Sequence, residues 1–446
     1  MAEVAAGALV AEQIVATGVE VGAVVAVAAP TQPLKVSLTQ LARATSEDTV
    51  RALARSNHTI TTIGNKAYIF GGEDVDGKLC NSDVHAILLP SKDNTGAENL
   101  HDHYPAFPLI DAKTGETYIP APRTKHAACA WGNSVVIHGG CDEHGSSIEE
   151  DNCLWVWETE HMKWTKLQGQ TQLGVKLAPR YGHHIFVDEK QKFLILHGGH
   201  TSSSGGNQPE TETWLYSFDR SAWTTLPRSP SPPLAAAYTD TTLYTISASP
   251  DSPNLSGTIN YLDLLKSTVD REKPGALTWQ SITYPINPLT PGPRPRVGGA
   301  LVPITTGYGR SYLIYMFGIS SDAVGESNEA SPEEEKYYAD IWSLQLPSHG
   351  YTAAAAKDVI RDKLMPKGIE SGKFSWAEAE LVATEQKTEA EEGKVHPGPR
   401  GLLAASGCLE GKGVVLWGGV NPKGEREADG WVLGLAFGYA DSDRFE

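Results

Sequence analysis

Basic residues are in deficit in this 446-residue chain: 37 Lys and Arg stand against 54 Asp and Glu, a net charge of −17. A surface this acidic argues against nucleic acid or an anionic membrane as the main partner. Cysteine is sparse as well. The five (Cys80, Cys129, Cys141, Cys153, Cys408) are scattered, odd in number and never form Cys-x-x-Cys, which excludes a disulfide framework and suits reduced thiols in a cytoplasmic protein. Long apolar runs are missing: the longest near the N-terminus is Val21 to Ala29, against the roughly 20 residues a membrane span needs. Glu3, Glu12 and Glu20 interrupt residues 2–29, so neither the basic start nor the unbroken core of a secretory signal is present. There is no His-Glu-x-x-His, Gly-x-Ser-x-Gly, phosphate-binding loop or zinc-type Cys/His spacing. Gly198-Gly199 and Gly205-Gly206 lack the strand–turn–helix setting of a dinucleotide site, and Ser202 to Gly206 reads as a flexible loop. No cofactor and no metal are expected.

What the chain has is a short apolar run ending in a glycine pair, four times over: Ala67 to Gly72, Val135 to Gly140, Phe193 to Gly199 and Val414 to Gly419. A fifth run, Tyr312 to Gly318, keeps one glycine, and a sixth, Thr242 to Ala248, has neither, with Ser247 at the equivalent place. A unit recurring this often signals a repeat architecture. Each unit opens with Pro or Arg and small residues, as in Pro122-Arg123-Thr124-Lys125-His126, and a short turn such as Gly132-Asn133 leads into the apolar run. An aromatic-rich third strand follows (Leu154 to Trp157, Thr213 to Tyr216, Ile341 to Leu344), then a fourth carrying one Trp: Trp164, Trp223, Trp279 or Trp376. Four short strands per unit suit blades stacked face to face. Glycine at the strand end lets the next backbone approach and allows φ > 0, and the aromatic residues fill the wedge between blades.

These residues resemble kelch repeats, whose marks are the double glycine, a following Tyr or Trp and a later Trp. The resemblance implies a β-propeller of blades about 50 residues long with four strands each. It covers about residues 34–437 and gives an all-β, six-bladed kelch-type propeller with blades near 55–120, 121–170, 178–228, 232–285, 294–383 and 398–437. The last unit has only three strands, while Leu34 to Leu41 is an orphan strand. That N-terminal strand, 34–42, is expected to complete the last blade and close the ring, leaving no open edge. Residues 1–33 form an apolar N-terminal extension, helical over Ala5 to Thr17, and 438–446 a tail. The acidic runs Glu326 to Glu335 and Glu378 to Glu392, the second Glu-rich and helix-like, are solvated insertions.

The candidate site follows from the repeat. Arg55, Arg123, Arg180, Arg296 and Arg400 open first strands, and His58, His126 and His183 follow three of them by three residues; in the fourth unit Pro232-Pro233-Leu234-Ala235 stands instead. First strands line a propeller's channel, so these arginines are expected to form a partial ring at its mouth that could bind carboxylate, sulfate or phosphate bidentately. A structural role, bonding to neighbouring carbonyls, is the competing reading, and the histidines are expected to bond between blades rather than to a metal. Two kinds of kelch enzyme bear comparison. Galactose oxidase is a secreted, seven-bladed copper enzyme, which this chain does not match. The glucosinolate specifier proteins, to which there is a distant similarity, hold iron through Glu-x-x-x-Asp-x-x-x-His. Here Glu425-x-x-x-Asp429 continues to Leu433, and Glu98-x-x-x-Asp102 to Ala106, so the histidine is missing.

The function implied is binding. Loops at one rim, including insertions at 91–118 and 201–210, present a surface to a protein or peptide partner, or the arginine-lined mouth takes an anionic small molecule. The alternative is a small-molecule lyase or isomerase with His58, His126 or His183 as proton donors; fold does not separate the two.

Overall fold

The computed structural model describes residues 32–41, 46–90, 101–107, 119–150, 152–171, 176–203, 206–252, 255–265, 277–284, 292–307, 309–320, 336–348, 352–364, 372–382 and 394–436. The expected helix at Ala5 to Thr17, the C-terminal tail and the run Glu326 to Glu335 lie outside these residues, as does most of the 91–118 insertion.

The chain is all-β with few helices. Among the described residues the main strands form six open sheets of four or five strands. Sheet I runs Thr59–Ile63, Lys66–Phe70, Val84–Leu88 and His101–Tyr104. Sheet II contains Ala127–Trp131, Ser134–His138, Leu154–Glu158 and Lys163–Leu167, and sheet III His184–Asp188, Phe193–His197, Thr213–Ser217 and Ala222–Leu226. Sheet IV has Ala235–Thr239, Thr242–Ala248, Gly257–Asp263 and Gln280–Thr283; sheet V has Ala300–Thr305, Ser311–Met316, Ile341–Gln345 and Ser375–Glu378. In each the strands pair antiparallel in chain order. Sheet VI joins Ala404–Cys408, Gly413–Trp417 and Gly430–Leu435 to Lys35–Gln40 from the other end of the chain, with Val36 opposite Leu435 and Gln40 opposite Trp431.

Second strands such as Ser311–Met316 and Gly413–Trp417 are buried on both faces, which explains why they are continuous apolar runs rather than alternating ones. Six apolar clusters account for this, each lying between two consecutive sheets. That between VI and I gathers Ile69 and Ile87 with Val415, Trp417 and Val432; that between I and II gathers Phe70 and Val84 with Ile137, Trp157 and Trp164. Trp164, Trp223 and Trp431 are at most 4% exposed.

Three details differ from the sequence reading. The fourth strand of sheet I, His101–Tyr104, lies within the stretch read as an insertion, because it carries no Trp to mark it. The ends of the stretch read as a loop at 202–206 are in strands: His200–Ser203 pairs with Gly206–Pro209 and also with Arg180–Tyr181. The described start of the Glu-rich stretch is extended, not helical: Ser375–Glu378 closes sheet V, and Glu380–Leu381 pairs in parallel with Lys35 and Val36. Two helices were not foreseen. Helix α1 (Glu47–Leu53) starts at Ser46, whose hydroxyl accepts from the Thr49 N–H, with Glu47 and Asp48 in the first turn where the helix dipole favours them. Helix α2 (Ala353–Leu364) is held to sheet V by an ion pair between Asp358 and Arg310.

Candidate functional site

Strand register fixes which residues are equivalent. Ala127 pairs with His138, Ala404 with Trp417, Ala300 with Met316 and Ala235 with Ile246. In sheet V, Phe317 therefore stands where the other units have the first glycine, and Gly318 is the second; in sheet IV the first place is Ser247.

The arginines open each first strand at one common edge, and all five are at most 2% exposed. Their partners repeat. Nη1 of Arg55, Arg123, Arg180, Arg296 and Arg400 donates to the carbonyl of Gly71, Gly139, Gly198, Phe317 and Gly418 respectively, at 3.0–3.2 Å. Nε turns back to a carbonyl two or three residues upstream in four of them, and in Arg400 Nη2 does so, at Pro397. Four also meet a carboxylate from the loop before the third strand: Arg123 with Glu150 at 2.6 Å, Arg180 with Glu212 at 2.8 Å, Arg400 with Asp429 at 2.6 Å, and Arg296 with Asp340. The same carboxylates accept from the indole N–H of Trp155, Trp214, Trp342 and Trp431. Burial works against the charge on Glu150, Glu212 and Asp429, but the guanidinium beside each outweighs it and holds the carboxyl below its ordinary range. These five arginines thus sit inside the protein with internal partners, not open to solvent at a mouth. Asp429, half of the specifier-like spacing, is one of those partners.

Sheet I departs from the pattern. Asp83 stands where the carboxylate should, but it bonds His103, Asn81 and the Ala106 N–H. His85 replaces the Trp, with Nδ1 2.9 Å from His101 Nε2 and its ring stacked on His101 and His103.

The glycine pairs join sheet to sheet. The second glycine's N–H donates to the carbonyl of the next sheet's arginine: Gly72 to Arg123, Gly140 to Arg180, Gly318 to Arg400 and Gly419 to Arg55. A Cβ on Gly139 would run into the Arg180 carbonyl of the next sheet and lie 2.8 Å from His183 Cε1, so only glycine admits this approach. His58, His126 and His183 pack over the first glycine of the preceding sheet. All three are buried, and His183 Nε2 lies 2.9 Å from His138 Nδ1. Burial lowers their pKa values, His58 to about 3 with help from Arg55, and His126 and His183 well below the usual value. They are neutral at physiological pH. Among the described residues, no group of three or more His, Cys, Asp or Glu is arranged to hold a metal ion, and no helix is long and apolar enough to cross a membrane.

Beyond this packed layer the edge carries a repeated turn. Asp74 Oδ1 accepts from the N–H groups of Asp76 and Lys78 at 2.9 and 3.0 Å. Asp142 does the same for His144 and Ser146, and Asn421 for Lys423 and Glu425. The turn tips Asp76, Glu143 and Lys423 are exposed. Glu73 ties three sheets together here, accepting from Asn57, Thr124 and, at 2.9 Å, Arg426.

Sequence reading missed the carboxylates and the turns. Asp/Glu-x-Trp at Glu212, Asp340 and Asp429 was the available signal, as was Asp/Asn-x-x-Gly after three of the four glycine pairs; Glu150, five residues before its Trp155, hid the first.

Comparison with known proteins bears out the kelch resemblance. Residues 40–247 match the KLHDC2/KLHL20/DRC7 Kelch-repeats domain. The chain is 28% identical over 140 residues to Tip elongation aberrant protein 1 of Schizosaccharomyces pombe, covering 31% of this chain and 10% of that protein. It is 34% identical over 87 residues to Kelch-like protein 25 of Xenopus laevis, covering 20% and 13%. The chain thus spans only a small part of either relative. The solved structure of YjhT aligns with a TM-score of 0.49 at 13% identity, covering 84% of this chain and 93% of that one.

Proposed function

We propose that this kelch-repeat chain is an interaction module: a six-bladed propeller, closed by Lys35–Gln40 in its last blade, that offers its glycine-pair edge to a protein or peptide partner. Two observations support the ring. Sheets I to VI pack in cyclic order with VI against I, and the Gly419 N–H bonds the Arg55 carbonyl across that junction. Binding rests on the repeated turn. Each is locked by its own Asx side chain with its tip in solvent, so side chains are pre-ordered for contact and little entropy is lost on docking.

Arg55, Arg123, Arg180, Arg296 and Arg400, with His58, His126 and His183, then serve the site by holding its floor rigid. Capture of an anion by Arg123, Arg180, Arg296 or Arg400 would require displacing a carboxylate already in contact, and Arg55, which has none, is buried against carbonyls. The lyase or isomerase alternative has no observation in its favour: the three histidines it would use are buried and neutral. The test is position-dependent photo-cross-linking, with a benzophenone side chain placed at Asp76, Glu143 or Lys423 and, as controls, at Asn133 or Lys190 on the opposite edge. Cross-links from the turn tips alone support the reading; cross-links from the opposite edge alone would sink it.

A further inference from the structure

The loop that carries Glu150 is longer than its counterparts. Glu212, Asp340 and Asp429 stand two residues before their Trp, whereas Glu150 stands five before Trp155. Between this longer loop and the residues that lead into Arg180, a cavity of about 50 Å³ opens at the glycine-pair edge. Its wall includes His138, Ile148, Glu150, Asn152, Leu177 and Ala178. A water needs about 10–15 Å³ of such space, so there is room for about three to five non-hydrogen atoms. The Ile148 N–H bonds the Gly140 carbonyl, which sets the cavity beside the turn locked by Asp142.

His138 supplies a free donor to this cavity. Its counterpart in sheet III, His197, meets the Thr213 hydroxyl through Nδ1 at 2.9 Å, and its Nε2 is sealed from solvent. In sheet II the residue before the Trp is Leu154, with no hydroxyl, and His138 Nδ1 pairs with His183 Nε2 instead. His183 Nδ1 is buried without a partner. A bare ring nitrogen is left there at less cost than an N–H, which puts the shared proton on His183 Nε2. Burial lowers the His138 pKa to about 4, with nearby Glu150 opposing the shift. Neutral His138 then carries its own proton on Nε2, which bonds nothing and is not sealed, although the residue is only 5% exposed. Acceptors lie in the same wall. Glu150 Oε1 takes Arg123 Nη2 and Trp155 Nε1, but Oε2 takes Arg123 Nη1 alone and keeps a site for one more donor. Asn152 Oδ1 is buried there without a partner.

We infer that this cavity takes the side-chain carboxamide of an asparagine or glutamine on the protein partner, its oxygen accepting from His138 Nε2 and its NH2 group donating to Glu150 Oε2. The inference deepens the interaction reading and rests on it. A carboxylate would meet the Glu150 charge with no donor to offer, and an ammonium would leave the His138 N–H without an acceptor. A hydroxyl can do both but fills one of the three to five places. A carboxamide with its methylene has four non-hydrogen atoms, and its second N–H can serve Asn152 Oδ1.

The probe is propionamide, titrated into the full chain labelled with 15N-histidine and followed at His138 Nε2. A saturable shift is expected. Butanone has the same shape but cannot donate, and should bind about tenfold more weakly, the worth of one hydrogen bond to a charged group. Ala178→Leu, which fills the cavity and leaves His138, Glu150 and Asn152 in place, should abolish the shift. No shift, or equal affinity for propionamide and butanone, would overturn the inference; that comparison holds even if Ala178→Leu folds poorly. A silent His138 alongside cross-links from Asp76, Glu143 or Lys423 would sink the carboxamide site alone and leave the interaction reading standing.

Discussion

In sheet II the start of the first strand is held by charge. Arg123 is fully buried between the Gly139 carbonyl and Glu150, and Glu150 is held in turn by the Trp155 indole. In sheet IV the same place holds Ser231, and neutral groups replace the charges. Asn260, fully buried, donates to the hydroxyls of Ser231 and Ser247 at 3.3 Å and accepts from Ser281 at 2.7 Å. Both arrangements satisfy the polar groups they bury, as a buried edge must. They differ in what they offer the next sheet. An arginine-led strand presents a carbonyl to the neighbour's glycine and, two residues on, a left-handed residue that bonds its counterpart in the next sheet, as the Lys125 N–H does the Asn57 carbonyl and the Gly182 N–H the Lys125 carbonyl. The Pro232-Pro233 start of sheet IV presents neither, so among the described residues neither kind of bond joins sheet IV to III or V. Loss of the repeat's signature is thus also loss of its sheet-to-sheet hydrogen bonding.

The comparison can be broken most sharply at the charges. Arg123→Met leaves Glu150 buried and unpaired and is expected to cost about 3–5 kcal/mol in urea denaturation. Arg55→Met, with no carboxylate bonded to it, should cost clearly less, nearer the ~1–3 kcal/mol of unsatisfied carbonyls. Adding Glu150→Gln to Arg123→Met should recover part of the loss; equal costs for the two arginines would refute the distinction. Next in size is Gly140→Ala, which places a Cβ against backbone and is expected to lower stability by about 2–3 kcal/mol, while Ser247→Gly in sheet IV should change it by under about 1 kcal/mol. Asn260→Ala removes the hub of the neutral network and should cost about 1–3 kcal/mol.

Acid sharpens the contrast further. Burial lowers the pKa of His58 and His197 to about 3 and of His138 and His184 to about 4, all in sheets I to III. The unfolded chain takes up these protons near 6.5 while the folded one refuses them, so their contribution to stability is intact above that pH and falls away as pH drops toward 4. Hydrogen exchange between pH 7.5 and 5 should therefore show sheets I–III loosening before sheet IV, which has no histidine; uniform loosening would contradict this. The smallest effect is expected at the surface, where Arg51→Ala removes an exposed ion pair to Asp76 at 2.7 Å and should change stability by no more than ~0.5 kcal/mol.

How much of this was legible depends on how far apart in the chain the partners lie. Gly71-Gly72 and its counterparts, the Trp at 164 and 223 and the strand at Lys35–Gln40 were readable, because each is a short local pattern. Which of the two glycine places sheet V keeps was not readable: Phe317 holds the first and Gly318 the second, and only the Ala300–Met316 pairing reveals this. His101–Tyr104 was hidden because a polar edge strand has no apolar periodicity. The role of the arginines was left between two readings, since an arginine before a strand looks the same in sequence whether its guanidinium meets solvent or a carboxylate 27 residues away.

The repeat, the strand content and the places where a Cβ cannot be tolerated were determined by sequence alone, because period, apolar run length and glycine placement are properties of adjacent residues. Which carboxylate meets four of the arginines, which carbonyl each glycine reaches in the next sheet, and that Pro233 interrupts the main-chain bonds that Gly298, Leu402, Asn57, Lys125 and Gly182 make from sheet to sheet were decided only in the tertiary structure. Those contacts join residues about 30 to 360 positions apart, and they exist only once the sheets have packed face to face.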